Sequence, residues 1–143
     1  MMLKMYIAVD LAKAGETDVM PFIGGVLTGE NIFNVFRGAG SHYIYSGVAV
    51  YSVLDVLETL GRDSYPAFKK VLEYYIEKEL YNTNKSYTVL DIIPVFEAIG
   101  KTKDKRYVPL LREIREKEKD LLLKIIIREQ YEFLEGKTDF VIY

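Results

Sequence analysis

The chain has no cysteine and no tryptophan, and it has one histidine, one glutamine and four prolines. Without cysteine there can be no disulfide, no thiol chemistry and no cysteine-based zinc site. His42, in Ser41-His42-Tyr43-Ile44-Tyr45, can act as an acid or base. No adjacent Ser, Asp or Glu forms a dyad with it, so packing is the favoured role. The expectation is a non-enzymatic protein with no cofactor and no tightly bound metal. Long apolar runs are also missing. The longest uncharged stretch, 38–54, has 17 residues but contains three Gly, three Ser and the His. It is close to the lower limit for a membrane span and reads as a buried helix instead. Nothing at the start resembles a signal peptide, so a cytoplasmic location without a membrane partner is expected.

Nor is there an excess of positive charge. The net charge is −2. Residues 1–60 hold three basic and six acidic side chains, and residues 61–143 hold sixteen and fifteen. Neither part is strongly basic, which argues against nonspecific nucleic-acid binding. Lys, Glu, Ile and Tyr are abundant, a thermophile-like leaning. With 143 residues, half of them apolar, the chain reads as a single domain able to bury about two-thirds of its unfolded surface.

What the chain does contain is a pattern repeated three times. Leu11-Ala12-Lys13-Ala14-Gly15 leads to Pro21, Leu57-Glu58-Thr59-Leu60-Gly61 to Pro66, and Phe96-Glu97-Ala98-Ile99-Gly100 to Pro109. The glycines are 46 and 39 residues apart, a period that fits stacked helix pairs. Eight, four and one residues before each Gly stand Ile7, Leu11, Ala14; Val53, Leu57, Leu60; and Ile92, Phe96, Ile99. These steps put them on one helical face. Gly permits the left-handed turn that closes a helix, and Thr17, Asp63 and Asp104 are placed to cap the next one. Pro follows near the first turn, where its missing N–H costs little. Around each Pro, positions −1, +2 and +5 are again apolar: Met20, Ile23, Val26; Tyr65, Phe68, Val71; Val108, Leu111, Ile114.

This spacing predicts helices at 2–14, 18–28, 31–37, 42–60, 64–80, 89–99, 105–118 and 120–135. Pro94 should bend the helix that holds it. Gly24 and Gly25 weaken the second helix, at roughly 1 kcal/mol each. A fourth unit begins at Asp120, with Tyr131 and Leu134 ahead of Gly136.

The motif resembles that of the HEAT repeat family, above all its short bacterial and archaeal form. Lys103-Asp104-Lys105-Arg106-Tyr107-Val108-Pro109-Leu110-Leu111 carries the likeness best, and Ser64-Tyr65-Pro66-Ala67-Phe68 less fully. The resemblance implies an all-α fold of stacked antiparallel helical hairpins, three to four repeats forming an α-α superhelix. It also implies a curved surface for another protein or peptide, lined by the second helix of each pair. An irregular helical bundle is the alternative. Lys69 and Arg112 both lie three residues after their Pro, and Glu73 and Glu116 both lie seven after. These four are expected to form an exposed ladder of mixed charge. HEAT-like hydroxylases bind metal through several His-Glu pairs, which this chain lacks. HEAT-like DNA glycosylases supply the alternative function, a nucleic-acid-acting protein. The absence of Trp and the negative net charge weigh against it.

Other features have plainer readings. Gly38-Ala39-Gly40-Ser41 lacks the Gly-Lys-Ser/Thr ending of a phosphate loop. Tyr43, Tyr45, Tyr51, Tyr74 and Tyr75 can stack bases but equally pack core edges. Lys101-Thr102-Lys103-Asp104-Lys105-Arg106 is a basic turn, open to an acidic partner or simply solvated. The last helix, with Leu121, Leu122, Leu123, Ile125, Ile126 and Ile127, is apolar on too many sides for one interface. Leu123 and Ile127 are expected to face outward and to mediate self-association, as a homo-oligomer, or docking of a partner.

Overall fold

The structure, a computed structural model, describes residues 2–27, 53–82 and 89–137. Its regular elements are helices throughout, and no strand occurs among the described residues. In chain order they are α1 (Met2–Lys13), α2 (Met20–Leu27), α3 (53–60), α4 (Tyr65–Glu77), α5 (Val89–Lys101), α6 (Val108–Lys117) and α7 (Leu121–Leu134). The expectations for His42, for Gly38 to Ser41, for Tyr43, Tyr45 and Tyr51, and for the helix at 31–37 lie outside the described residues.

Proline marks the second helices as expected. Pro21 is the second residue of α2, and Pro66 and Pro109 lie in the first turns of α4 and α6. Two residues on, Ile23, Phe68 and Leu111 are all fully buried, and so are Val71 and Ile114 one turn later. Each such side chain contributes roughly 1.5–3 kcal/mol by leaving water. α5 continues through Pro94 to Lys101. The ring there removes one intrahelical N–H bond but does not end the helix.

The conformation of the repeat glycine agrees with expectation in two repeats and departs from it in the third. Gly15 (φ 97°) and Gly61 (φ 58°) close α1 and α3 in the left-handed region. Gly100 does not: α5 runs past it, and Lys103 (φ 60°) takes the left-handed position. Thr102 assists by donating its hydroxyl to the Ile99 carbonyl at 2.6 Å. Gly136 (φ 77°) closes α7, with Lys137 N–H donating to the Glu132 carbonyl as Glu16 N–H donates to that of Leu11. Both are six-to-one bonds of the glycine C-terminal motif. Of the three expected caps only Asp104 works, accepting from Arg106 N–H at 3.0 Å. Thr17 and Asp63 lie within short 3-10 turns instead. Asp120 caps α7, accepting from Leu123 N–H at 3.0 Å.

The helices pack α1 on α2, α2 on α4, α4 on α6, and α7 on both α5 and α6. Gly24 is the reason α2 tolerates glycine. A Cβ there would lie 2.9 Å from the Ala67 Cα, so the two backbones meet at this point. Lys70 of α4 also reaches across, donating to the Pro21 carbonyl at 3.2 Å. α1 is turned from its expected phase. Ile7 and Leu11 are exposed, while Ala8, Val9 and Ala12 are buried. The small side chains face inward because they allow a close approach.

Candidate functional site

Lys69 and Glu73 on α4, and Arg112 and Glu116 on α6, are all exposed. They stand on neighbouring helices, since α4 packs on α6. Two of them are held by aromatic rings. Lys69 Nζ lies 5.9 Å from the Tyr65 ring centroid, and the Arg112 guanidinium lies 4.6 Å from that of Tyr131. Arg112 Nη2 also contacts both carboxylate oxygens of Glu135 at 2.7 Å. The pair is exposed, and the Arg112 hydrogen bond holds the Glu135 carboxyl below its ordinary value. Tyr131 fixes where the guanidinium sits, and its other donors remain available to a partner.

A second charged group forms at the edge where the turns meet. Arg106 grips Asp104 through Nε (3.0 and 3.1 Å) and Nη2 (2.7 Å). It also donates to the Arg62 carbonyl at 3.1 Å. Its guanidinium stacks 4.0 Å from the Tyr65 ring centroid, and Tyr65 in turn packs on Tyr107 at 5.1 Å. This cluster joins the 61–64 turn to the 102–107 turn. Burial alone would raise the Asp104 carboxyl. Hydrogen bonds from the Arg106 side chain and backbone outweigh it and hold the group below its ordinary value. Arg106 of the basic turn is therefore structural, committed within the chain.

Carboxylates gather on another face. Glu58 of α3 and Glu97 of α5 both lie three residues before their repeat glycine. Lys101 Nζ is 3.6 Å from Glu58. Burial raises Glu97; Lys101 opposes this, and the charges of Glu58 and Glu129 add to it. Burial raises Glu58 and Glu129 as well. Among the described residues no group of three or more His, Asp or Glu is arranged to hold a metal ion. No helix among them is long and apolar enough to cross a membrane.

The expected outward pair on α7 is overturned. Leu123 and Ile127 are both 0% exposed. They belong to the inward stripe Leu123, Ile126, Ile127, Gln130, Tyr131 and Leu134, which α5 and α6 cover. The outward residues are Leu121 at 73%, Leu122 at 44% and Ile125 at 42% exposed. The sequence held the signal. Tyr131 stands ahead of Gly136, and stepping back from it by four reaches Ile127 and then Leu123, which places the three on one helical face.

Comparison with known protein families, curated proteins and solved structures finds no match to this chain.

Proposed function

We propose that the chain is a HEAT-like stack of helical hairpins and acts as a non-enzymatic protein-binding module, or as the scaffold subunit of an assembly. One observation carries the reading. α2, α4 and α6 pack in series, and α4 and α6 expose the same charge pattern at the same distance from their prolines: Lys69 with Arg112, and Glu73 with Glu116. Helix-pair stacks use such rows to hold an extended partner along adjoining second helices. A ladder of alternating sign suits a polar or charged segment of another protein. The rings of Tyr65 and Tyr131 fix two of its cations, which lowers the cost of ordering them on binding.

The test is affinity capture from the native cell with the wild type and with Lys69→Glu/Glu73→Lys/Glu116→Lys. The expected result is a stoichiometric protein partner that the wild type retains and the variant loses, with unchanged helical circular dichroism. Retention of the same partner by the variant would overturn the assignment of this face. A salt-sensitive affinity for DNA in place of a protein partner would overturn the function.

A further inference from the structure

Among the described residues the large apolar side chains left exposed are Ile7, Leu11, Phe22, Leu121, Leu122 and Ile125. They fall on α1, α2 and α7; none falls on α4 or α6, nor on the described side chains of α3 and α5. This is the distribution expected where α1 and α7 are the outermost of the described helices, because a helix between two others has neighbours on both sides. Repeat stacks normally finish in a polar outer face, and here the first and last described helices carry apolar stripes.

The two stripes match in spacing and oppose in charge. Ile7, Asp10 and Leu11 on α1, with Ala14 just past its end, stand at relative positions 0, 3, 4 and 7. On α7, Leu121, Lys124, Ile125 and Arg128 stand at the same relative positions. Each stripe is an apolar pair one helical turn apart with a charge beside its second member, acidic on α1 and basic on α7. Arg128 is drawn toward Glu132 at 3.6 Å, which leaves Lys124 as the cation between the two apolar side chains. Facing α7 with another α7 would oppose lysine to lysine, and facing α1 with α1 would oppose aspartate to aspartate. Only α1 against α7 brings opposite charges together.

We propose that copies of this chain associate head to tail, with the α1 face of one protomer lying on the α7 face of the next. This extends across protomers the contact that α5 makes with α7 inside one protomer. The proposal rests on the stacked-hairpin reading above and names a second copy as one partner of that stack. Such a heterologous contact leaves one free end of each kind, so growth continues until the rotation closes a ring or a filament forms. The stripes are narrow beside a standard interface of about 800 Å² per partner. Association is therefore weak and rises with concentration.

Sedimentation velocity on the full chain across a concentration series tests this, with two variants. Ile7→Lys/Leu11→Lys disables the head, and Leu121→Lys/Ile125→Lys disables the tail. The wild type is expected to gain mass with concentration. Each variant alone should lose at least about tenfold in association constant, since two apolar side chains no longer leave water. An equimolar mixture of the two should form a dimer and stop there, because only one intact contact remains. If a lysine pair unfolds the protomer by circular dichroism, Asp10→Lys and Lys124→Asp replace them. Each should weaken association alone, and their mixture should regain it. A wild type that stays monomeric, a head variant that associates like the wild type, or a mixture that stays monomeric would each overturn head-to-tail pairing. None of these results would touch the α4–α6 face, so partner capture there stands or falls separately.

Discussion

The Gln130 side chain occupies the space that a Cβ on Gly100 would need. Such a Cβ would overlap Oε1 of Gln130 and lie 3.0 Å from its Cδ. Gln130 is the only glutamine in the chain and is 2% exposed, and its Oε1 has no hydrogen-bond partner among the described residues. The contact seats α7 against α5. It also accounts for a glycine inside a helix, where Ala would otherwise be favoured by about 1 kcal/mol.

Gly100→Ala is therefore expected to destabilise the protein by about 1–3 kcal/mol through overpacking. In a Gln130→Ala background the same change should cost far less, or stabilise through helix propensity. A double-mutant cycle in urea measures the coupling. Additive effects of the two substitutions would show that the contact does not govern this glycine.

Tyr75 donates its hydroxyl to Glu118, a carboxylate 3% exposed that also accepts from the N–H groups of Lys119 (2.9 Å) and Asp120 (3.0 Å). One buried side chain thus ties α4 to the turn between α6 and α7. Burial, then the Glu118 charge, pushes the Tyr75 hydroxyl above its ordinary value, and burial does the same for Tyr107. A phenol with a raised folded pKa holds its proton in the native state after the unfolded chain has lost it. Stability is then complete below the unfolded value of about 10 and falls as pH rises above it. Unfolding free energy measured in denaturant should drop in strong alkali, and more gently in Tyr75→Phe. A profile flat well above that pH would contradict the buried placement. At neutral pH Tyr75→Phe should cost about 1–3 kcal/mol, because Glu118 stays buried with one donor fewer.

How much of this could be read in the sequence differs between the two helices of each pair. The second helices were legible, because Pro fixes their start and the residues two and five beyond it are large and apolar. Phe68, Val71, Leu111 and Ile114 followed from that rule alone and are buried. The first helices were less so. α1 has apolar residues around most of its circumference, so periodicity could not choose between Ile7 with Leu11 and Ala8 with Ala12. The choice fell to close packing, which favours the small pair. Gly100 was misread because glycine serves both turns and close contacts, and only its neighbour across the interface, Gln130, tells the two apart. Of the candidate site, the exposure of Lys69, Glu73, Arg112 and Glu116 was legible from their distance to Pro. The ring and carboxylate that hold Arg112 come from α7 and the turn after it, and nothing in the local pattern announces them.

The carboxylates on α3, α5 and α7 give a pH dependence of definite sign. Burial, with Glu58 and Glu129 nearby, raises Glu97, and Lys101 only partly offsets this. A carboxyl with a raised folded pKa binds its proton more tightly when native. Its contribution to stability is full below the unfolded value of about 4.3 and is lost as pH rises through the folded one. Glu97→Gln removes that loss. The variant is expected to be more stable than the wild type at neutral pH, with the gain shrinking as pH falls through the raised folded value and gone below the unfolded one. Thermal melts across the acid range check it. A gain that stays constant with pH would point to packing instead of charge.

Leu123 and Ile125 are two residues apart on one helix and should behave in opposite ways. Leu123 is fully buried at the N-terminal end of the inward stripe, and its own N–H is the donor that Asp120 caps. Ile125 lies 42% exposed on the outer side. Leu123→Ala removes a buried side chain between α7 and its neighbours and leaves a cavity, at about 2–5 kcal/mol. Ile125→Ala removes a side chain already partly in water and leaves no enclosed void, so its cost should stay within about 1 kcal/mol. Urea unfolding of the two variants at a concentration too low for association gives the comparison directly. Equal losses would mean that α7 is rotated from the orientation described. With that the inward stripe from Leu123 to Leu134 would fail, and the outward face that carries the head-to-tail contact would fail too.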